Sequence, residues 1–200
     1  MGTIISEKRL TIEGATVHYL EAGPDNGQAV IMLHGMKFQA ETWRELGTLA
    51  LLAAEGFHVI ALDLPGFGKS APSEMAPDRL LRLFIEQSGF DAPVLVGPSM
   101  GGRVCLEFAL AHPHQVGGLV LVGAVGVAEN QARLERITVP CLVVWGSEDA
   151  VSSPANADIL TDAIKDARQV MINGAPHPCY LDQPGLWHDA LLLFLKERFC

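Results

Sequence analysis

Val94-Leu95-Val96-Gly97-Pro98-Ser99-Met100-Gly101-Gly102 decides how this 200-residue chain is read. The apolar run predicts a strand over Val94–Val96. Apolar residues at helical spacing predict a helix over Met100–Ala111, stopped before Pro113. Between them, Gly97–Gly101 matches G-x-S-x-G in the strand–turn–helix context that the motif requires. The glycines permit a sharp turn whose serine takes a strained backbone conformation, so that its hydroxyl stands in the open. The helix N-terminus that follows offers unpaired N–H groups and a positive dipole end, both favourable to a developing oxyanion. An ordinary glycine-rich turn is the competing interpretation. The flanking strand and helix favour Ser99 as a nucleophile.

Outward from this turn, apolar runs alternate with amphipathic ones. Leu10–Ile12 and Val17–Leu20 predict an N-terminal hairpin turning at Glu13-Gly14. Strands are expected at Ala29–Leu33, Val59–Leu62, Leu119–Val122, Cys141–Trp145 and Gln169–Ile172. Helices are expected at Thr42–Glu55, Asp78–Gln87, Ala155–Ala167 and Leu186–Phe199. Continuous apolar strands mean a sheet covered on both faces, and strands interleaved with helices mean parallel crossovers. The expectation is one domain over residues 1–200. It is a three-layer α/β fold whose mostly parallel sheet begins with an antiparallel hairpin. In such sheets the working residues lie in loops at the carboxyl ends of strands.

A serine hydroxyl at neutral pH needs a base. Of the seven histidines, His18, His58, His112, His114 and His188 read as surface or packed residues. His34 follows a strand, and the adjacent Gly35 suggests a backbone role there. His177 stands apart, in the loop Gly174-Ala175-Pro176-His177-Pro178 between a strand and the last helix. The base needs a carboxylate to fix its tautomer. Glu148 and Asp149, just after the Cys141–Trp145 strand, both qualify chemically. Neighbouring loop side chains point apart, so one of them reaches His177, and Asp149 is favoured. Two backbone donors would complete an oxyanion hole. One is the Met100 N–H. The other is the Met36 N–H in Leu33-His34-Gly35-Met36-Lys37, where Gly35 lets the backbone approach a substrate. Met36, Phe38, Met100 and Val125 are candidate pocket walls, with plain core packing as the alternative.

Composition narrows the partners. The chain is 49% hydrophobic with a net charge of −9 and no Lys/Arg cluster, which disfavours nucleic acid and anionic membrane. Cys105, Cys141, Cys179 and Cys200 lie far apart, as free thiols in a reducing compartment would, so a cytoplasmic location is expected. Met1-Gly2-Thr3-Ile4-Ile5-Ser6 fits a myristoylation pattern, one short enough to recur by chance. Gly66-Phe67-Gly68-Lys69-Ser70-Ala71 mimics a dinucleotide fingerprint, but Pro72 stands where its helix would begin. As a P-loop it lacks the first glycine, whose place Asp63 takes. No metal-ligand spacing is present, so neither metal nor cofactor is expected.

Taken together, His34-Gly35, Asp63-Leu64-Pro65-Gly66-Phe67-Gly68-Lys69-Ser70, Gly97–Gly101, Gly146–Asp149 and His177 resemble the α/β-hydrolase family over nearly the whole chain. The order Ser99, Asp149, His177 is the one expected of that family. Leu33–Trp43 and Gly174–Pro184 resemble a small subgroup, the alpha/beta-hydrolase-domain fourteen type, although that subgroup often carries serine where this chain has Gly97. The resemblance implies hydrolase activity on simple activated esters.

Many members insert a helical cap after the strand corresponding to Leu119–Val122. Here Gly123–Val139 has room for a loop and one short helix, such as Glu129–Arg136. No cap domain is expected, and the site should be open and shallow with broad selectivity for short acyl chains. The functional expectation is a serine carboxylesterase acting on a small acyl ester through an acyl-enzyme. The alternatives are an acyltransferase or thioesterase with the same triad, or a hydrolase-like interaction module with a vestigial one. Serine at the elbow, rather than a carboxylate, disfavours a dehalogenase.

Overall fold

Strand β1 (Ile5–Ile12) turns into β2 (Ala15–Ala22) through Glu13 and Gly14, at φ 47° and 86°. Two consecutive left-handed residues match the right-handed twist of a tight hairpin. The structure, a computed structural model, describes residues 3–200. Met1-Gly2 of the lipidation pattern lies outside them. Strand β2 runs antiparallel to β4 (His58–Leu62). Parallel pairing then links β4 to β3 (Ala29–Met32), and β3 onward through β5 (Val94–Pro98), β6 (Gly118–Val122), β7 (Cys141–Gly146) and β8 (Ala167–Ile172). The order is β1-β2-β4-β3-β5-β6-β7-β8. The α/β-hydrolase architecture expected from the sequence is therefore present.

Every residue of β3 to β7 is buried. The period of two sends alternate side chains to opposite faces. Ile31, Leu95, Leu119, Leu121 and Val143 join Leu80, Phe84 and Phe108 of α3 (Pro77–Ser88) and α4 (Met100–Ala111), with Leu160 of α6 (Ala155–Ala163). Val30, Val96, Val120, Leu142 and Val144 face Trp43 of α1 (Ala40–Glu45), Leu49 of α2 (Thr48–Ala54), and Trp187 and Leu191 of α8 (Pro184–Phe199). Apolar cover on both faces explains why these strands read as unbroken apolar runs.

Three helical expectations need correction, and one short helix was not expected. Thr42–Glu55 is two helices, because Gly47 adopts φ 84° and ends the first before capping the second. The helix from Ala155 stops at Ala163, where Ile164 turns extended and its side chain is buried. In place of a helix at Glu129–Arg136, α5 (Val127–Asn130) passes into a 3-10 turn over Gln131–Arg136. One further turn, α7 (Cys179–Asp182), arises between Pro178 and Pro184. The connection from β6 to β7 is pressed down by buried Val127, Leu134 and Ile137, and among the described residues no cap domain stands over the sheet.

The Asp63–Ser70 motif has a structural purpose. The buried Asp63 carboxylate accepts hydrogen bonds from Ala40 N–H at 2.6 Å and Lys69 N–H at 2.9 Å, and lies 2.7 Å from His18 Nδ1. Ser70 Oγ accepts from His18 N–H and donates to the Asp63 carbonyl. One carboxylate thus ties the hairpin, the β4 loop and the start of α1 together. His18, read as a surface or packed residue, is a buried member of this network. A Cβ on Gly68 would lie 2.1 Å from Asp63 Oδ2, at φ 50°. Gly68→Ala should therefore cost about 1–3 kcal/mol. The measurement is a urea titration, with the midpoint falling and the slope unchanged.

Candidate active site

Ser99 is held at φ 51°, ψ −116°, a left-handed backbone that a side-chain-bearing residue rarely adopts. Its N–H donates to the Val122 carbonyl, and its carbonyl accepts from Arg103 and Val125 N–H. Close packing enforces the turn. A Cβ on Gly97 would lie 2.3 Å from the Gly101 carbonyl, and one on Gly101 would lie 2.7 Å from that of His34. The glycines bring α4 against β5 and against the loop after β3.

That loop is a tight turn in which Phe38 N–H donates to the Gly35 carbonyl at 3.0 Å. Its two central residues are Met36 and Lys37. The amides of Met36 and Met100 have no hydrogen-bond acceptor among the described residues. A buried imidazole supports the turn. His34 Nδ1 donates to the Gly35 carbonyl at 2.8 Å, and Nε2 accepts from Leu64 N–H at 3.0 Å. These roles require the neutral ring. Burial pushes its pKa down, against the pull of the Gly35 carbonyl and Asp63. The sequence pointed only to the neighbouring glycine; the ring itself clamps two loops.

His177 follows β8 and the loop at Gly174. Its Nδ1 lies 2.7 Å from Asp149 Oδ2. The other carboxylate oxygen of Asp149 accepts from Val151 and Ser152 N–H, each at 2.8 Å. Asp149 is buried, while Glu148 is exposed and unpaired with His177. Of these two neighbours, Asp149 is the one that faces inward to His177. With Nδ1–H given to Asp149, His177 Nε2 carries the free lone pair. It is buried and has no partner among the described residues. Ser99 and His177 line the same cavity, although no hydrogen bond joins them in this structure.

The cavity measures about 460 Å³. Gly35, Met36, Phe38, Met100 and Val125, all singled out from the sequence, line it with Ser99 and His177. Asp149 stands behind His177. Lys37, Pro98, Val151, Pro178 and Tyr180 also line it and were missed as wall residues. Lys37 was legible from its place beside Met36. Val151 and Tyr180 come from segments whose course depends on tertiary packing. Cys179, next to this wall, is buried, and its thiol is pushed up to about 12 chiefly by burial.

Residues 28–136 match the family model described as alpha/beta hydrolase fold. The chain belongs to the alpha/beta hydrolase family. Among its relatives is the rat protein named "Putative protein-lysine deacylase ABHD14B", 37% identical across 96% of this chain and 97% of that one. "Protein ABHD14A" of Danio rerio is also 37% identical, over 84% of this chain and 64% of the relative. Among solved structures, a "CIB-like hydrolase" from Thermoplasma acidophilum superposes with a TM-score of 0.94 at 26% identity, covering 98% of this chain and all of that one. This member of the family has no helix among its described residues long and apolar enough to cross a membrane.

One buried and one half-buried histidine set a pH response for this hydrolase-fold chain. Burial holds the pKa of His34 and of His188 below the ordinary value, and His188 bonds Thr48. The unfolded chain takes up these protons at about pH 6.5, before the folded one does. Stability is therefore full above that pH and is lost as pH falls toward the folded values. The melting temperature should be lower at pH 5.5 than at pH 8, as followed by circular dichroism. Equal values would mean that these rings are not held neutral.

Proposed function

We propose that this chain is a serine hydrolase that cleaves small, short-chain acyl esters, with Ser99 as nucleophile, His177 as base and Asp149 as its orienting carboxylate. The observation that carries the reading is the free Nε2 of an Asp149-anchored His177 lining one cavity with a strained Ser99. Catalytic contacts of this kind tighten when substrate binds.

In the first half-reaction Ser99 Oγ adds to the acyl carbon as His177 Nε2 takes its proton. The Met36 and Met100 N–H groups receive the oxyanion. Collapse expels the alcohol with the proton from His177 and leaves the acyl group on Ser99. In the second, water adds through the same base, and the acid departs with Oγ–H restored. Asp149 stabilises the imidazolium in both halves. A free amide at Met36 follows from its place in the turn, and one at Met100 from its place as the first helical residue.

The name of the ABHD14B relatives, protein-lysine deacylase, favours a second reading, an acyl-lysine amide as substrate. The steps are the same, but the leaving amine must be protonated by His177 before the C–N bond breaks. Parallel assays on an aryl acetate and on an acetyl-lysine peptide separate the two readings.

Ser99→Ala should lower ester turnover by about 10⁴-fold or more. It should also abolish labelling by a fluorophosphonate while the circular dichroism spectrum is retained. Undiminished turnover in that variant would remove the nucleophile. His177→Ala should lower ester turnover by a comparable factor, and undiminished turnover in that variant would count against His177 as the base.

A further inference from the structure

The mouth of the cavity is electrically asymmetric. Lys37 lines it, and no carboxylate does. The chain as a whole carries 23 acidic residues against 14 basic ones. Most of those cations are spent in ion pairs, Lys8 with Glu21, Arg79 with Glu13 and Arg168 with Glu197 among them. Lys37 is exposed and has no ion-pair partner among the described residues. It sits one position after Met36, at the centre of the turn clamped by His34. Its ammonium therefore swings on a flexible stem close to where the proposed oxyanion forms.

Inside, the wall is apolar apart from Ser99, His177 and Tyr180. Tyr180 packs between Phe38 and Trp43, and its hydroxyl has no hydrogen-bond partner among the described residues. The hydroxyl is not one of the fully buried atoms, so it is open to a ligand in the cavity that Tyr180 lines. Burial also pushes this phenol up in pKa, so it stays a neutral donor at working pH. An unpaired cation at the rim and an unpaired donor in the wall are complementary to one kind of group, an anion carried by the substrate. Among the residues lining the cavity Lys37 is the cation, so an anionic group that enters there meets attraction and no facing carboxylate.

We propose that the preferred acyl substrate carries a carboxylate, with Lys37 and the Tyr180 hydroxyl as its specificity determinants. This rests on the serine hydrolase reading above. The carboxylate sits either at the far end of the acyl chain or on the leaving group, and both place it within reach of the loop that carries Met36. Its part is recognition; the bonds made and broken at Ser99 are unchanged.

Two matched pairs of esters test this on the whole protein. Phenyl hydrogen adipate and methyl phenyl adipate differ by a charge on the acyl side. 4-Acetoxybenzoate and methyl 4-acetoxybenzoate differ by a charge on the leaving group. The readout is the ratio of kcat/KM, anionic over neutral, taken from release of the phenol. Comparing variants cancels the intrinsic reactivity of each ester. Lys37→Met should lower the ratio about threefold and Lys37→Glu about tenfold or more, the scale of a rim ion pair and its reversal. Raising salt from about 0.05 M to about 0.5 M should lower the wild-type ratio and leave that of Lys37→Met unchanged. Tyr180→Phe should lower it about threefold while keeping the salt response. A shift in either pair supports the proposal and tells which end holds the charge. Ratios equal in wild type, Lys37→Met and Lys37→Glu for both pairs would overturn it. Its failure is distinct from that of the serine hydrolase reading, which falls only if Ser99→Ala keeps full turnover.

Discussion

The left-handed backbone of Ser99 is the constraint on which the site depends. Such a conformation costs of order 1–3 kcal/mol and persists only where its surroundings leave no alternative. Here the surroundings are β5, β6 and α4 at near-contact distance. Val122 takes the serine N–H, and missing side chains at Gly97 and Gly101 let helix, strand and loop close up. Relaxing the turn would pull Ser99 back from the cavity and move α4 off the sheet together. Strain at the site and packing of the core are one structural fact.

Two buried polar networks hold what the elbow faces. His34 joins the loop bearing Met36 to the loop after β4, and Asp63 joins that second loop to the hairpin and to the start of α1. Neither His34 nor Asp63 lines the cavity. Each replaces water lost on folding with fixed partners, so the loops stand at defined heights above the sheet. His177 has the same kind of support, since Asp149 is itself locked by two backbone amides. Polar groups in this chain are arranged in tiers, each fixing the one nearer the cavity.

Sequence legibility followed the range of the forces involved. The apolar runs of β3 to β7 were readable because burial on both faces is a local requirement on composition. Met100–Ala111 was read to the residue, since the serine before it and Pro113 after it are local signals. Gly47 was not, because glycine inside an amphipathic run is compatible with either a helix or a break, and the packing of α1 and α2 decides. The placing of Ser99 with His177, and of His177 on Asp149, was legible from motif order. The partners of Asp63 and His34 were not, since their donors come from segments such as β2 and the start of α1, far away in sequence. Tyr180 belonged to a turn too short to show a period.

The pressed-down connection between β6 and β7 has a kinetic consequence. Val127, Leu134 and Ile137 fasten it to the core, so the wall that Val125 contributes is anchored in place. Where a hinged flap covers the reacting centre, its opening often limits how fast products escape. An anchored rim imposes no such delay, and under the proposed mechanism the tempo of each cycle passes to bond formation and to the lifetime of the acyl-enzyme.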